Sequence, residues 1–177
     1  MPIFGSRCGF LVVLLAAFLA AFLAAPVARA SWGEKYLDAS AGYFVLGRVD
    51  GQHHAPGVRL GGGWHISDFA LVDVHGWYAP SPGDPGWLHL TGVNTSLRFV
   101  LDATQWVPSV GPGIGWVAHM GGGKDFSHGV TLGISGCLDH RSRREWSVGL
   151  CGDISLFAWP RELSKLLMVV VQFSWFK

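Results

Sequence analysis

The stretch GVRLGGGWHISDFALVDVHGWY, from Gly57 to Tyr78, decides the fold that this sequence predicts. The apolar side chains of its first half stand mostly at alternate positions: Val58, Leu60, Trp64 and Ile66. Because successive side chains of a strand point to opposite faces, this pattern indicates a strand with one apolar and one polar face. Ser67-Asp68 forms a tight turn, and the alternation resumes around Asp73 and His75. The stretch therefore predicts a hairpin with arms about ten residues long, the length that a tilted strand needs to cross a bilayer.

The N-terminus predicts an exported protein. Arg7 precedes an apolar run over 8–25, and Ala28-Arg29-Ala30 forms a small-x-small cleavage site. We therefore assign residues 1–30 to a signal peptide and residues 31–177 to a single β-barrel domain. An uncleaved inner-membrane anchor is the alternative interpretation of the apolar run.

The charge of the mature chain argues against nucleic acid as a partner. Of the 177 residues, 50% are hydrophobic and 14% are charged, against roughly a quarter charged in ordinary domains. Loss of Arg7 and Arg29 leaves 11 Lys+Arg against 12 Asp+Glu, a formal charge of −1. No basic stripe survives, and such a stripe is the footprint of nucleic-acid binding. No later apolar run is long enough for a spanning helix, so a membrane-embedded mature chain has to be a closed barrel.

Alternating segments continue to the C-terminus and predict eight strands. They cover 39–49, the two arms of the hairpin 57–78, then 87–101, 105–119, 129–139, 145–158 and 166–176. Three polar or Gly- and Pro-rich segments are predicted as longer loops at the outer end: 50–56, 80–86 and 120–128. Pro108 and Pro112 lack a ladder donor and are expected near the periplasmic end of their strand or at a bulge. The prediction is an all-β, eight-stranded, antiparallel up-and-down transmembrane β-barrel.

The tryptophans predict two aromatic belts. Four lie near the predicted outer ends of strands: Trp77, Trp87, Trp116 and Trp159. Four lie near the predicted periplasmic ends: Trp64, Trp106, Trp146 and Trp175. Indole rings favour the membrane–water boundary, so two belts are typical of a barrel that spans a membrane. Strict alternation, however, would turn Trp77 and Trp159 inward.

The quoted hairpin, the segment WVPSVGPGIGWV over 106–117 and a last strand ending in an aromatic resemble the small outer-membrane β-barrels of the OmpA/OmpW/opacity type. The resemblance covers most of the mature chain and rests on pattern. It implies a porin-like β-barrel of transmembrane β-strands in the Gram-negative cell envelope. The expected partners are outer-membrane lipid and the barrel-assembly machinery, which reads the C-terminal strand. That strand departs from the family pattern, because Lys177 follows Phe176.

Four charged residues fall on the predicted inward face near mid-barrel: Arg59, Asp73, Arg98 and Asp153. Eight strands enclose only enough room for side chains, and opposite charges there would pair because an unpaired buried charge is costly. We predict a lumen ion-pair network that fills the barrel, in a protein with a structural or surface-interaction role. A narrow or gated pore is the alternative.

Two other classes of function are open from the sequence. A soluble lipocalin-like barrel would turn its apolar face inward around a ligand. A barrel-embedded lipid hydrolase would use a His-x-Ser pair, which occurs as His65-Ile66-Ser67 and His140-Arg141-Ser142. Both pairs lie at predicted periplasmic turns, away from the outer leaflet, so we do not expect an enzyme. Six other histidines are placed toward the outer end without a recognised metal spacing: His53, His54, His75, His89, His119 and His128. We therefore expect neither a metal nor a cofactor.

Cys137 and Cys151 remain once the signal peptide, with Cys8, is removed. Both fall on the inward face of adjacent strands, in an oxidising compartment. A disulfide requires a register in which they lie opposite each other, with Asp139 facing Gly149 and the turn centred on Arg144. A turn centred two residues earlier would leave both thiols free, and the sequence leaves this choice open.

Overall fold

The computed structural model describes residues 33–48, 51–83, 86–101, 105–121, 124–143, 145–158 and 163–177, so the signal-peptide prediction for 1–30 lies outside the described residues. Within these ranges eight antiparallel strands form a closed barrel, in which each strand pairs with the next and β1 pairs with β8. The strands are β1 Lys35–Arg48, β2 Gly51–Ser67, β3 Ala70–Gly83, β4 Gly86–Val100, β5 Trp106–Gly121, β6 Lys124–Arg143, β7 Trp146–Ala158 and β8 Leu163–Phe176. The predicted all-β, eight-stranded barrel is confirmed. No helix of the described ranges is long and apolar enough to cross a membrane.

The strands extend further than the sequence predicted. The end that carries Lys35 and Phe176 is called the periplasmic end here, and the opposite end the outer end. Most of each predicted outer loop belongs to a strand, since β2 begins at Gly51, β3 ends at Gly83 and β6 begins at Lys124. The prediction of longer outer loops was therefore wrong.

Prolines explain why these strand extensions looked like loops. Three of them lie where their strand pairs with one neighbour only: Pro56, Pro80 and Pro82. A strand with one neighbour uses half of its ladder bonds, so the missing N–H of proline costs less there. Pro108 lies near the periplasmic start of β5, and Pro112 lies within a gap in the β4–β5 ladder.

The barrel turns apolar side chains outward along most of its length. On β7, Leu150 is 57% exposed whereas Asp153 is 7% exposed. The same alternation runs through β8, whose outward series is Leu167, Val169, Val171, Phe173 and Trp175. The distribution is the reverse of that in a soluble barrel, which buries its apolar face.

The lumen is filled in three layers along the barrel axis. The outer layer is apolar and includes Phe44, Leu46, Ala55, Trp77, Ala79, Leu88, Leu90, Val117, Phe157, Leu166, Met168 and Val170. The middle layer carries the charged residues described below. The periplasmic layer is a smaller apolar cluster of Tyr36, Leu71, Val100, Val107 and Phe176. The sequence predicted a polar inward face and missed the apolar outer layer.

One predicted belt tryptophan is not in a belt. Trp77 points into the lumen, where it is 3% exposed and its ring lies 5.5 Å from that of Phe44. Trp77 points inward because the odd-numbered residues of β3, from Leu71 to Ser81, all face the lumen. Five of the others are exposed on the outer surface: Trp64, Trp87, Trp106, Trp116 and Trp175. Trp146 is half-buried and stacks on Phe173, and Trp159 lies outside the described residues.

Cys137 and Cys151 lie directly opposite each other on β6 and β7 and form a disulfide, with their Cα atoms 4.1 Å apart. In the same register Asp139 faces Gly149, and the pairing continues to Arg143. This is the first of the two registers that the sequence left open. Arg144, the predicted centre of the turn, lies outside the described residues.

Candidate functional site

One half of the charged layer is built around Arg59 on β2. Its guanidinium donates from Nη1 to Asp153 Oδ2 at 2.8 Å and from Nη2 to Gln172 Oε1 at 2.6 Å. Nε donates to Ser40 Oγ at 3.2 Å. Arg59 is 3% exposed, so the ion pair with Asp153 is removed from water. The pairing of β1 with β8, which closes the barrel, is called the β1–β8 seam here. Since the partners of Arg59 lie on β1, β7 and β8, Arg59 connects strands on both sides of this seam.

The other half is built around Arg98 on β4. Nε donates to Asp73 Oδ2 at 2.5 Å, Nη2 donates to Tyr36 OH at 2.8 Å, and Nη1 donates to Ser109 Oγ at 3.3 Å. Asp73 also accepts a hydrogen bond of 2.6 Å from Ser96 Oγ. This group connects β1, β3, β4 and β5. The structure therefore separates the four predicted network residues into two ion pairs, Arg59 with Asp153 and Arg98 with Asp73.

His75 lies in the same layer and contacts a carboxylate through each ring nitrogen. Nε2 lies 2.9 Å from Asp38 Oδ2, and Nδ1 lies 3.4 Å from Asp73 Oδ1. The sequence-based placement of His75 toward the outer end was therefore wrong. Asp38 was missed because the first strand was predicted to begin at residue 39, whereas β1 begins at Lys35. The available signal was the alternation of Tyr36, Asp38 and Ser40, which continues the inward face of β1 toward its start.

The composition of this layer allows its charges to balance. Three carboxylates, those of Asp38, Asp73 and Asp153, contact two guanidinium groups and one imidazole. An imidazole with a proton on both nitrogens can donate on both sides, and it then supplies the third positive charge. Buried charges are tolerated when they are paired and hydrogen-bonded. Each of the three carboxylates contacts a cationic or potentially cationic side chain, whereas Oδ1 of Asp38 is buried without a hydrogen-bond partner.

The cavities beside this network are small. One of about 30 Å³ lies toward the periplasmic end and is lined by Arg98, Asp139 and Arg141 among others. A second of about 20 Å³ borders Arg59 and Asp153. Each has room for roughly one or two water molecules, whereas ligand pockets have volumes of about 300–1,000 Å³. The charged layer therefore has the geometry of a packed plug.

Several outward histidines pack against aromatic rings. The ring pairs are Tyr43 with His54, Tyr78 with His89, Trp106 with His140, and Trp116 with His128, at centroid distances of 4.7–6.1 Å. The Tyr78 hydroxyl also lies 2.6 Å from His89 Nδ1. In the part of the chain that the structure describes, no group of three or more His, Cys, Asp or Glu residues is arranged to hold a metal ion. These histidines therefore extend the aromatic surface of the barrel.

The barrel is similar in fold to several solved proteins. Neisserial surface protein A matches with a TM-score of 0.71 and 14% identity, over 81% of this chain and 98% of that chain. The outer membrane protein OprG from Pseudomonas aeruginosa matches with a TM-score of 0.55 and 8% identity, over 86% and 99%. Ail, the attachment invasion locus protein of Yersinia pestis, matches with a TM-score of 0.51 and 10% identity, over 81% and 99%.

These similarities define the class of fold. Matches that cover nearly the whole of each solved chain, at 14% identity or less, show that the closed eight-stranded barrel is a fold shared with these proteins. No protein-family model matches the chain. No curated protein matches it by sequence.

Proposed function

We propose that the mature chain is an integral outer-membrane β-barrel with a side-chain-filled lumen and a structural or surface-interaction role. The distribution of its side chains carries this proposal, because apolar residues cover the outside and charged residues lie inside. A hydrocarbon environment requires such an arrangement, and a closed barrel satisfies every backbone group within it. OprG is an outer membrane protein and neisserial surface protein A is a surface protein, which supports the same location for this chain.

A soluble ligand carrier fits the same barrel less well. Its outer surface would present contiguous apolar area to water, and soluble monomers rarely expose more than a few hundred Å² in one patch. Its interior would also need a ligand cavity, where this lumen holds two ion pairs and a disulfide. We therefore place the ligand-carrier alternative second.

A pore, if one forms, is narrow. A solute would have to displace the charged layer and also the apolar clusters at either end of it. Separating a buried ion pair leaves both charges desolvated without a partner, which is costly, so steady conduction through the resting barrel is not expected.

We also propose that the chain is not an enzyme. Ser67 Oγ accepts a hydrogen bond of 3.4 Å from the backbone N–H of Phe69, so this hydroxyl contributes to the β2–β3 turn. The His140 ring packs against that of Trp106 on the barrel surface, with the two centroids 4.7 Å apart. These contacts give Ser67 a place in a turn and His140 a place beside an indole ring, which supports a structural role for both residues rather than the roles that nucleophilic catalysis requires.

The expected partners are outer-membrane lipid and the barrel-assembly machinery. The outward apolar series of β8 ends at Trp175, while the ring of Phe176 packs against that of Tyr36 at 5.6 Å. We propose that the machinery reads this outward series, with Trp175 in the position of the terminal aromatic.

Cell fractionation combined with gel migration tests the proposal. The mature protein should appear with the outer membrane and migrate differently when unheated, because a closed barrel resists unfolding by detergent. Recovery in the soluble periplasm, without a heat-dependent shift, would contradict it. In planar bilayers the wild type should show little steady conductance, and large stable channels would refute the filled lumen.

A further inference from the structure

Two lysines lie directly opposite each other at the periplasmic end of the β1–β8 seam. The N–H of Lys35 donates to the carbonyl of Lys177 at 3.2 Å, and the N–H of Lys177 donates to the carbonyl of Lys35 at 2.8 Å. Both residues are exposed. Like charges directly opposite on antiparallel strands destabilise the pair. None of the ion pairs found among the described residues includes either lysine.

A groove of about 630 Å³ on the outer surface adjoins these lysines. Its lining includes Lys35, Lys177, Leu37, Gly62, Trp64 and Trp175. The register explains the shape: Lys35 pairs with Trp64, while Leu37 lies between Gly62 and Trp175. Because Gly62 has no side chain, the surface between the two indoles is recessed. The groove is thus apolar along its length and cationic at its periplasmic end.

This arrangement fits one class of membrane component. Indoles lie at the membrane–water boundary, and lysine side chains extend from there toward the polar headgroups. An anionic headgroup between the two ammonium groups would remove their mutual repulsion. A free phosphate ion would satisfy the lysines but leave the apolar part of the groove uncovered.

We propose that this groove binds one anionic phospholipid of the periplasmic leaflet. Its phosphate lies between Lys35 and Lys177, and one acyl chain lies over Leu37 between Trp64 and Trp175. The inference rests on the proposed outer-membrane insertion and assigns a lipid class to one position on the barrel. Phosphatidylethanolamine binds less well, because its own ammonium group opposes the lysines.

Native mass spectrometry of the detergent-solubilised full-length mature barrel tests this site. The probes are phosphatidylglycerol and phosphatidylethanolamine with identical acyl chains. The wild type should retain one phosphatidylglycerol in preference to phosphatidylethanolamine. A lysine near a charged membrane surface contributes roughly fivefold to affinity. Lys35→Gln or Lys177→Gln should therefore weaken phosphatidylglycerol binding about fivefold, and the double variant about 30-fold.

Lys165→Gln is the matched control. Lys165 is an exposed lysine near the outer end of β8, so its loss removes the same charge at the opposite rim. Phosphatidylglycerol binding should be unchanged in Lys165→Gln and retained in the double variant Lys35→Arg/Lys177→Arg. Equal losses in Lys165→Gln and the two glutamine variants would overturn the site in favour of a general charge effect.

If a variant does not fold, the comparison of the two lipids on the wild-type protein still tests the site. A barrel that shows its heat-dependent gel shift yet binds both lipids equally would refute the lipid site and leave the proposed membrane location intact. A mature protein that does not enter vesicles of either lipid would refute both proposals.

Discussion

The buried ion pair between Arg59 and Asp153 offers the most direct test of the lumen network. Arg59→Met keeps much of the side chain's length and removes all of its donors. The change removes the guanidinium that lies 2.8 Å from the Asp153 carboxylate. It also leaves Gln172 Oε1 and Ser40 Oγ without their guanidinium contacts. The carboxylate then remains buried without its cation.

The expected cost follows from that burial. Removing one partner of a buried ion pair costs about 3–5 kcal/mol, because the other charge stays desolvated. Removing both charges together is often close to neutral when apolar groups fill the volume. The double variant Arg59→Met/Asp153→Leu should therefore be about 2–4 kcal/mol more stable than Arg59→Met alone.

Urea unfolding of the barrel refolded into phosphatidylcholine vesicles, followed by tryptophan fluorescence, measures these differences. Arg141→Met is the matched control. Arg141 donates to Glu34 at 3.3 Å near the periplasmic mouth, with side-chain exposures of 19% and 11% for the two residues. A partly exposed ion pair contributes about 1 kcal/mol or less. The contact of the Arg141 guanidinium with the Phe176 ring, at 4.0 Å from its centroid, adds about 0.5–1 kcal/mol, so the control should still cost less than Arg59→Met. A buried ion pair between Arg59 and Asp153 is refuted if Arg59→Met lowers the free energy of unfolding no more than this control does. It is also refuted if the loss in the double variant equals the sum of the losses in the two single variants.

Two further predictions concern other parts of the lumen. Mass spectrometry of unreduced, alkylated protein should find Cys137 and Cys151 unmodified, and two alkylated cysteines would contradict the disulfide. Reduction should lower the free energy of unfolding by about 3 kcal/mol, the value expected for a closed loop of about fifteen residues. Trp77→Ala should cost about 3–5 kcal/mol in the same urea assay because it empties part of a packed core. Trp87→Ala, at a ring that is 58% exposed, should cost clearly less, and equal losses would count against the inward placement of Trp77.

Alternation was enough to predict the barrel because lipid imposes the same requirement at every second residue of a spanning strand. On β7 the outward Leu150 and Ile154 flank the inward Cys151 and Asp153, and the period of two is unmistakable. The cysteines add a register, since a disulfide between adjacent strands requires directly opposed positions. Both signals are local, which is why the sequence carries them.

The apolar outer layer was missed because alternation disappears there. Tyr43 and Val45 point outward from β1, while Phe44 and Leu46 point into the lumen. Where both faces are apolar, hydrophobicity has no period of two and cannot assign a direction. Leu71, an apolar residue on the inward face at the start of β3, has a similar explanation, because it belongs to the apolar periplasmic layer.

The pairing of the lumen charges also could not be read from the sequence. Alternation predicted that the side chains of Arg59 and Asp153 point inward. These residues, however, are 94 positions apart in the sequence and lie on strands that are not neighbours. Their contact depends on closure of the barrel and on the reach of the guanidinium across the lumen. The hydrophobic periodicity of a single strand gives no information about barrel closure or about how far a side chain reaches across the lumen.

Closure also explains why the charged layer lies between two apolar ones. The apolar clusters exclude water from both sides of the ion pairs, and lower effective dielectric strengthens a satisfied pair while raising the cost of an unsatisfied one. A shift of either Arg59 or Arg98 away from its carboxylate is therefore strongly opposed.

The same contacts hold the strands of the barrel in place. Arg59 connects β2 with β1, β7 and β8, and Arg98 connects β4 with β1, β3 and β5. The disulfide between Cys137 and Cys151 joins β6 to β7. Each of the eight strands is thereby attached to the filled lumen through at least one side chain, in addition to its ladder bonds. Because opening a path for solute requires breaking these attachments together, the network that closes the lumen also stabilises the β1–β8 seam.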